Sequence, residues 1–153
     1  MQVKVLMVCL GNICRSPLAE GILKSKVNPE NVFVDSAGTS NYHIGSKPDP
    51  RSIEIAAKYN IDITDQRGRQ FTQKDFDDFD LIFAMDNSNY FNIIQQARSE
   101  ADRAKVHLIL NKIAPDENMD VPDPYYGGAT GFENVYKMLD KATDVIVRDI
   151  SKL

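Results

Sequence analysis

The stretch that most constrains this chain is its start. Val3-Lys4-Val5-Leu6-Met7-Val8 is a short apolar run rich in valine, too brief for a helix and without polar alternation, which marks a strand buried on both faces. Behind it, Leu18, Ala19, Ile22, Leu23 and Val27 recur at helical spacing, and Pro17 is a residue favoured in a helix's first turn. Cys9 to Ser16 is therefore a loop from a strand into a helix. A strand buried on both faces needs neighbours on each side and helices above and below, so the chain is committed to a layered α/β fold.

The remaining chain reads consistently with that frame. Val32-Phe33-Val34 predicts a second strand running into Asp35-Ser36-Ala37-Gly38, Leu81 to Met85 a third and Val106 to Leu110 a fourth. Helical spacing covers Arg51 to Tyr59, the segment carrying Tyr90, Phe91, Ile93 and Ile94 behind the cap candidates Asp86-Asn87-Ser88, and Phe132 to Ile150. Asp75 to Phe79 reads as a short turn or helix, and Asp116 to Gly131 as the longest loop. The expected architecture is an α/β single-domain three-layer sandwich over residues 1–153, with a central four-stranded parallel sheet flanked by helices. In such sheets ligands bind beyond the carboxyl ends of the strands, where Cys9, Ser36 and Asp86 all fall.

Position makes the first loop an anion site. The free N–H groups of a helix start, reinforced by its dipole, face the loop before it, and Arg15 adds a planar guanidinium suited to gripping phosphate with two parallel bonds. Cys9 stands in the same positive field. Gly11 and Asn12 suit a loop with unusual backbone angles and close approach of N–H groups to a ligand.

Totals narrow the function further. A net charge of −4 argues against a general nucleic-acid binder, which needs basic surface. No signal peptide or membrane-length apolar run is expected, which points to the cytoplasm without membrane insertion. The two cysteines, Cys9 and Cys14, are too few for a disulfide framework, and His43 and His107 lie too far apart in sequence for a zinc site, so neither metal nor cofactor is expected.

Cys9, five residues, then Arg15-Ser16, placed after the first strand and before a helix that opens with Pro17, resembles the low-molecular-weight protein tyrosine phosphatases. The likeness extends through Asp35-Ser36-Ala37-Gly38, Ala84-Met85-Asp86 and Asp123-Pro124-Tyr125-Tyr126-Gly127, in that order. It implies a phosphate-binding loop of Cys9, Leu10, Gly11, Asn12, Ile13, Cys14, Arg15 and Ser16. In that reading Cys9 is the nucleophile and forms a phosphocysteine, Arg15 clamps the phosphoryl oxygens, and Asp123 is the general acid and then base. Asp120, lacking the following Pro and aromatic residue, is the weaker candidate. Ser16 would bond the thiolate, while Asn12, Ser36 and Asp86 would support the loop and Arg15. Ile13, Tyr42, His43, Tyr125 and Tyr126 would wall a slot deep enough to exclude phosphoserine. Cys14 would be the redox partner that pairs with Cys9 under oxidation.

The partners so implied are phosphotyrosine-containing proteins, with small aryl phosphates turned over as well, by a monomer that dimerises weakly at most. An arsenate reductase would need further cysteines after Cys14. A phosphoarginine phosphatase would carry Thr where Ile13 stands, and a phosphotyrosine-binding module would not need Cys9, Arg15 and Asp123 intact. A nucleotide-binding protein would show a glycine-rich fingerprint or a Walker lysine after the first strand. Gln66 departs from the mammalian relatives, which have a supporting histidine there, and is expected to alter the tuning of Cys9.

Overall fold

The computed structural model describes residues 2–127 and 130–153, with Tyr126 through its backbone alone. Four strands, β1 (Val3–Cys9), β2 (Val32–Gly38), β3 (Leu81–Ala84) and β4 (Val106–Leu108), form one parallel sheet in the order β2-β1-β3-β4. Among the described residues six α-helices accompany them: α1 (Arg15–Lys24), α2 (Pro50–Lys58), α3 (Lys74–Asp78), α4 (Asn87–Ile94), α5 (Glu100–Ala104) and α6 (Gly131–Ser151).

Central β1 explains the layering. Its side chains alternate, so Val5, Met7 and Cys9 join Leu18, Ile22, Ala56, Leu139 and Ile146 of α1, α2 and α6 in one core, while Leu6 and Val8 join Phe76, Ile82 and Ile93 in the other. Both faces are thus dry, and Val5, Leu6, Met7 and Val8 have no solvent exposure. This is the three-layer arrangement with a four-stranded parallel sheet that the apolar runs predict. Parallel pairing aligns the strand ends, with Cys9 opposite Gly38 and Val8 opposite Ala84. Everything that follows those ends lies along one rim.

Local boundaries differ from the sequence reading for physical reasons. β2 continues to Gly38, because residues 35–38 pair with Leu6 to Cys9. β4 stops at Leu108, and Ile109–Lys112 is a 3-10 turn. A continuing strand would send Ile109 and Leu110 to opposite faces, whereas both pack in the core that contains α6. α1 starts at Arg15, two residues ahead of Pro17. The short helix α5, capped by the Ser99 hydroxyl on the Asp102 N–H, has too little apolar periodicity to be seen in sequence.

Helix α6 seals the larger core with one face, and Leu139 on that face is fully buried. Leu139→Ala should lower the unfolding free energy by about 2–5 kcal/mol, the usual cost of a leucine-sized cavity. Urea denaturation reads this directly, and an unchanged midpoint would contradict the packing of α6 on α1.

Candidate active site

Asn12 holds the loop after β1 in shape. Its backbone is left-handed, with φ of 56°, a conformation asparagine tolerates better than most residues. The buried side-chain amide ties three segments together. Its Oδ1 accepts from the Arg69 N–H at 3.0 Å, and its Nδ2 donates to Ser16 Oγ and to Ser36 Oγ, each at 2.9 Å. Ser36 in turn donates to Glu20 Oε1 at 2.6 Å, and Lys24 pairs with the other carboxylate oxygen.

The direction of these bonds follows from chemistry. An ionised carboxylate only accepts, so Ser36 must donate to Glu20 and accept from Asn12. Ser16 likewise accepts from Asn12, which leaves its proton for Cys9 Sγ, 2.9 Å away. Gly38 supplies the floor: a Cβ there would lie 2.7 Å from the Leu10 carbonyl oxygen and 3.1 Å from the Asn12 nitrogen, both backbone atoms that cannot yield.

Arg15 is the first residue of α1 and is buried, an awkward place for a cation because the helix start is itself positive. Its Nη1 donates to Asp86 Oδ2 and to the Val121 carbonyl, both at 2.8 Å. Asp86 also caps α4 through Oδ1, accepting from the Asn89 N–H at 2.8 Å. Both Nη1 hydrogens are thereby used, and the Nε and Nη2 edge of the guanidinium makes no hydrogen bond among the described residues.

Cys9, Leu10, Ile13, Arg15 and Cys14 line a slot of about 130 Å³ whose mouth is formed by Tyr42, His43, Asp123 and Tyr125. Two larger surface clefts, one beside His107 and one between α2 and α6, contain no cysteine. Asp123 is exposed at the mouth; its Oδ1 accepts from the Tyr125 N–H at 3.0 Å, starting the 3-10 turn Pro124–Tyr126. The side chain of Tyr126, expected in the slot wall, lies outside the described residues. Asp120 instead accepts from the Asn87 N–H and side chain, tying the long loop to α4.

The Tyr125 hydroxyl accepts from Cys14 Sγ and donates to Asp49 Oδ2, each at 3.0 Å. Burial pushes the Cys14 thiol up to about 11, so it is protonated at neutral pH, and burial together with these two partners raises Tyr125 as well. Gln66 donates from Nε2 to the Pro17 carbonyl at 3.1 Å, bracing the first turn of α1.

Sequence reasoning missed Asp49, Glu20 and Arg69. Asp49 caps α2, and its own N–H donates to the Ile13 carbonyl at 2.7 Å, so it fastens the slot wall as well as Tyr125. Asp followed by proline at a helix start is a visible capping signal. Glu20 carries no such signal, since Glu four residues before Lys is an ordinary surface pair until the fold buries it. Among the described residues no group of three His, Cys, Asp or Glu side chains is placed to hold a metal ion.

Burial raises the Glu20 carboxyl above its ordinary range, against the opposing bonds from Lys24 and Ser36. The folded protein therefore binds this proton at higher pH than the unfolded chain does. Glu20's contribution to stability is present in full below the ordinary glutamate value and is lost as pH rises through the raised one. Urea denaturation across that interval should show wild type gaining on Glu20→Gln as the pH falls. A pH-independent difference would mean that Glu20 titrates as a surface glutamate.

The family model for low molecular weight phosphotyrosine protein phosphatase matches residues 4–153. The low molecular weight phosphotyrosine protein phosphatase of Schizosaccharomyces pombe is 42% identical over 142 residues, covering 90% of each chain. Crystal structures agree: a protein tyrosine phosphatase from Entamoeba histolytica with Hepes in its active site superposes with a TM-score of 0.90 at 35% identity, covering 99% of this chain and 98% of that one. A Drosophila arginine phosphatase superposes at 0.87 with 34% identity, over 96% of this chain and 97% of that one. With a family model that spans residues 4–153 and relatives more than 30% identical over nine-tenths or more of its length, this chain belongs to the low-molecular-weight protein tyrosine phosphatase family of hydrolases.

Proposed function

We propose that this protein hydrolyses phosphotyrosine in proteins, and small aryl phosphates with it, through a phosphocysteine on Cys9. The observation that carries the reading is the state of Arg15. Asp86 and Val121 occupy Nη1, and the remaining Nε and Nη2 fork belongs to a residue that lines the same slot as Cys9. A phosphoryl group held by that fork is in reach of the sulfur.

In the first step the Cys9 thiolate attacks phosphorus, the bond from phosphorus to the tyrosine oxygen breaks, and Asp123 gives its proton to the departing phenolate. Asp123 suits this role because it lines the slot and its Oδ1 is fixed by the Tyr125 N–H. In the second step the ionised Asp123 takes a proton from water, which attacks phosphorus and releases Cys9. The Ser16 hydroxyl, its oxygen already engaged by Asn12, donates to the departing sulfur and eases that release. Charge on the phosphoryl oxygens in the transition state is met by Arg15 and the N–H groups of the loop. No step calls for a metal.

Substrate class follows from the walls. Ile13 and the aromatic residues Tyr42 and Tyr125 suit a phenyl ring, and a recessed sulfur favours phosphotyrosine over the shorter phosphoserine. Ile13 also presents an apolar wall to a phosphoguanidinium group. The cytoplasm, where thiols stay reduced, suits a thiol nucleophile.

Turnover of a phosphotyrosine peptide in excess chelator, set against matched phosphoserine and phosphoarginine peptides, tests this reading. Cys9→Ser should abolish turnover, and Asp123→Ala should reduce kcat about a hundredfold to ten-thousandfold. Preference for phosphoarginine, or binding of the phosphotyrosine peptide without turnover, would overturn it.

The same loop supports redox control. Peroxide converts the Cys9 thiolate to a sulfenic acid, whose sulfur Cys14 attacks, releasing water and leaving a disulfide that external thiol reduces. Cys14 must first give up its bond to Tyr125, and burial of its thiol makes that attack slow. After a peroxide pulse, wild type should regain activity with thiol while Cys14→Ala stays inactive; equal recovery would remove Cys14 from the mechanism.

A further inference from the structure

A second groove, of about 470 Å³, leaves the mouth of the slot across Leu10 and Tyr42, the two residues it shares with the slot, and runs towards α4. We propose that it binds the main chain of the substrate segment beside the phosphotyrosine. This inference rests on reading the slot as a phosphotyrosine site.

Its lining is chemically narrow. Thr39, Ser40, Gln70, Asn92, Gln95 and Gln96 carry hydroxyl or carboxamide groups, and no charged side chain lines the groove, although a quarter of the chain is charged. Charged neighbours would select particular flanking side chains. Carboxamides both donate and accept, which matches the alternating N–H and C=O groups that every extended peptide offers. Two of the hydroxyls, Thr39 Oγ1 and Ser40 Oγ, are buried and make no hydrogen bond among the described residues. Both lie beneath the surface of the groove, so contact with a peptide falls to the carboxamides.

The groove is also registered to the slot. The Thr39 N–H donates to the Cys9 carbonyl and the Ser40 N–H to the Leu10 carbonyl, each at 2.9 Å, so its floor is hydrogen-bonded to the phosphate loop itself. Asn92 lies on α4, whose N-cap is the same Asp86 that holds Arg15, and Gln95 is that helix's C-cap. Phosphate grip and groove therefore hang on one frame. A peptide anchored by its phosphate meets the carboxamides in a fixed register, while a free aryl phosphate gains nothing from them.

The test compares a phosphotyrosine heptapeptide, free phosphotyrosine and p-nitrophenyl phosphate on wild type and Asn92→Ala/Gln95→Ala. For the peptide, KM should rise about 3- to 10-fold in the double variant with kcat unchanged, the expected scale for losing one or two neutral hydrogen bonds. Both small substrates should keep their KM. Peptides N-methylated at single main-chain amides on either flank should show raised KM on wild type at one flank, and no further rise on the double variant. Equal KM for peptide and free phosphotyrosine on wild type, or a double variant that leaves the peptide KM unmoved, would overturn the groove while sparing the slot. Absence of turnover with every phosphotyrosine substrate on wild type would instead overturn the reading of the slot.

Discussion

The site depends on a single buried carboxamide. Asn12 faces three ways, towards the Arg69 N–H, Ser16 and Ser36, and these partners lie on three separate stretches of chain. A side chain with both a donor and an acceptor end is needed there, because one neighbour is a backbone N–H and the others are hydroxyls whose protons go elsewhere. An aspartate would lose the donor end. The left-handed backbone at Asn12 is held from outside by these bonds and by the close packing of Gly38 beneath the loop.

Charge is arranged around that frame in a definite order. Lys24 neutralises Glu20, whose carboxylate orients Ser36, while Asp86 neutralises one side of Arg15 and leaves the other for an anion. A guanidinium at the start of a helix raises the local potential that the backbone N–H groups already create. One carboxylate tempers it without cancelling it, and a dianionic phosphate completes the balance.

Much of this was legible in sequence because it is local. The apolar runs named all four strands, and the Cys9 to Ser16 loop could be placed between strand and helix from hydrophobic spacing alone. The contacts that shape the site were not legible, because they depend on which strands become neighbours. Arg69 reads as an ordinary loop residue until its N–H meets Asn12, and Glu20 reads as a surface residue until α1 is covered. The end of β4 was misjudged for a related reason: Ile109 and Leu110 look like strand by composition, and only the position of α6 turns both to one side.

The central place of β1 has a consequence for the chain as it is made. Cys9 leaves the ribosome ahead of every segment that completes the loop around it: Ser36 and Gly38, then Arg69, then Asp86 and lastly the Val121 carbonyl. During synthesis the thiol therefore waits without Arg15 held in position, open to oxidants and to stray metal ions. The fold encloses this thiol only after the last of these segments has been made.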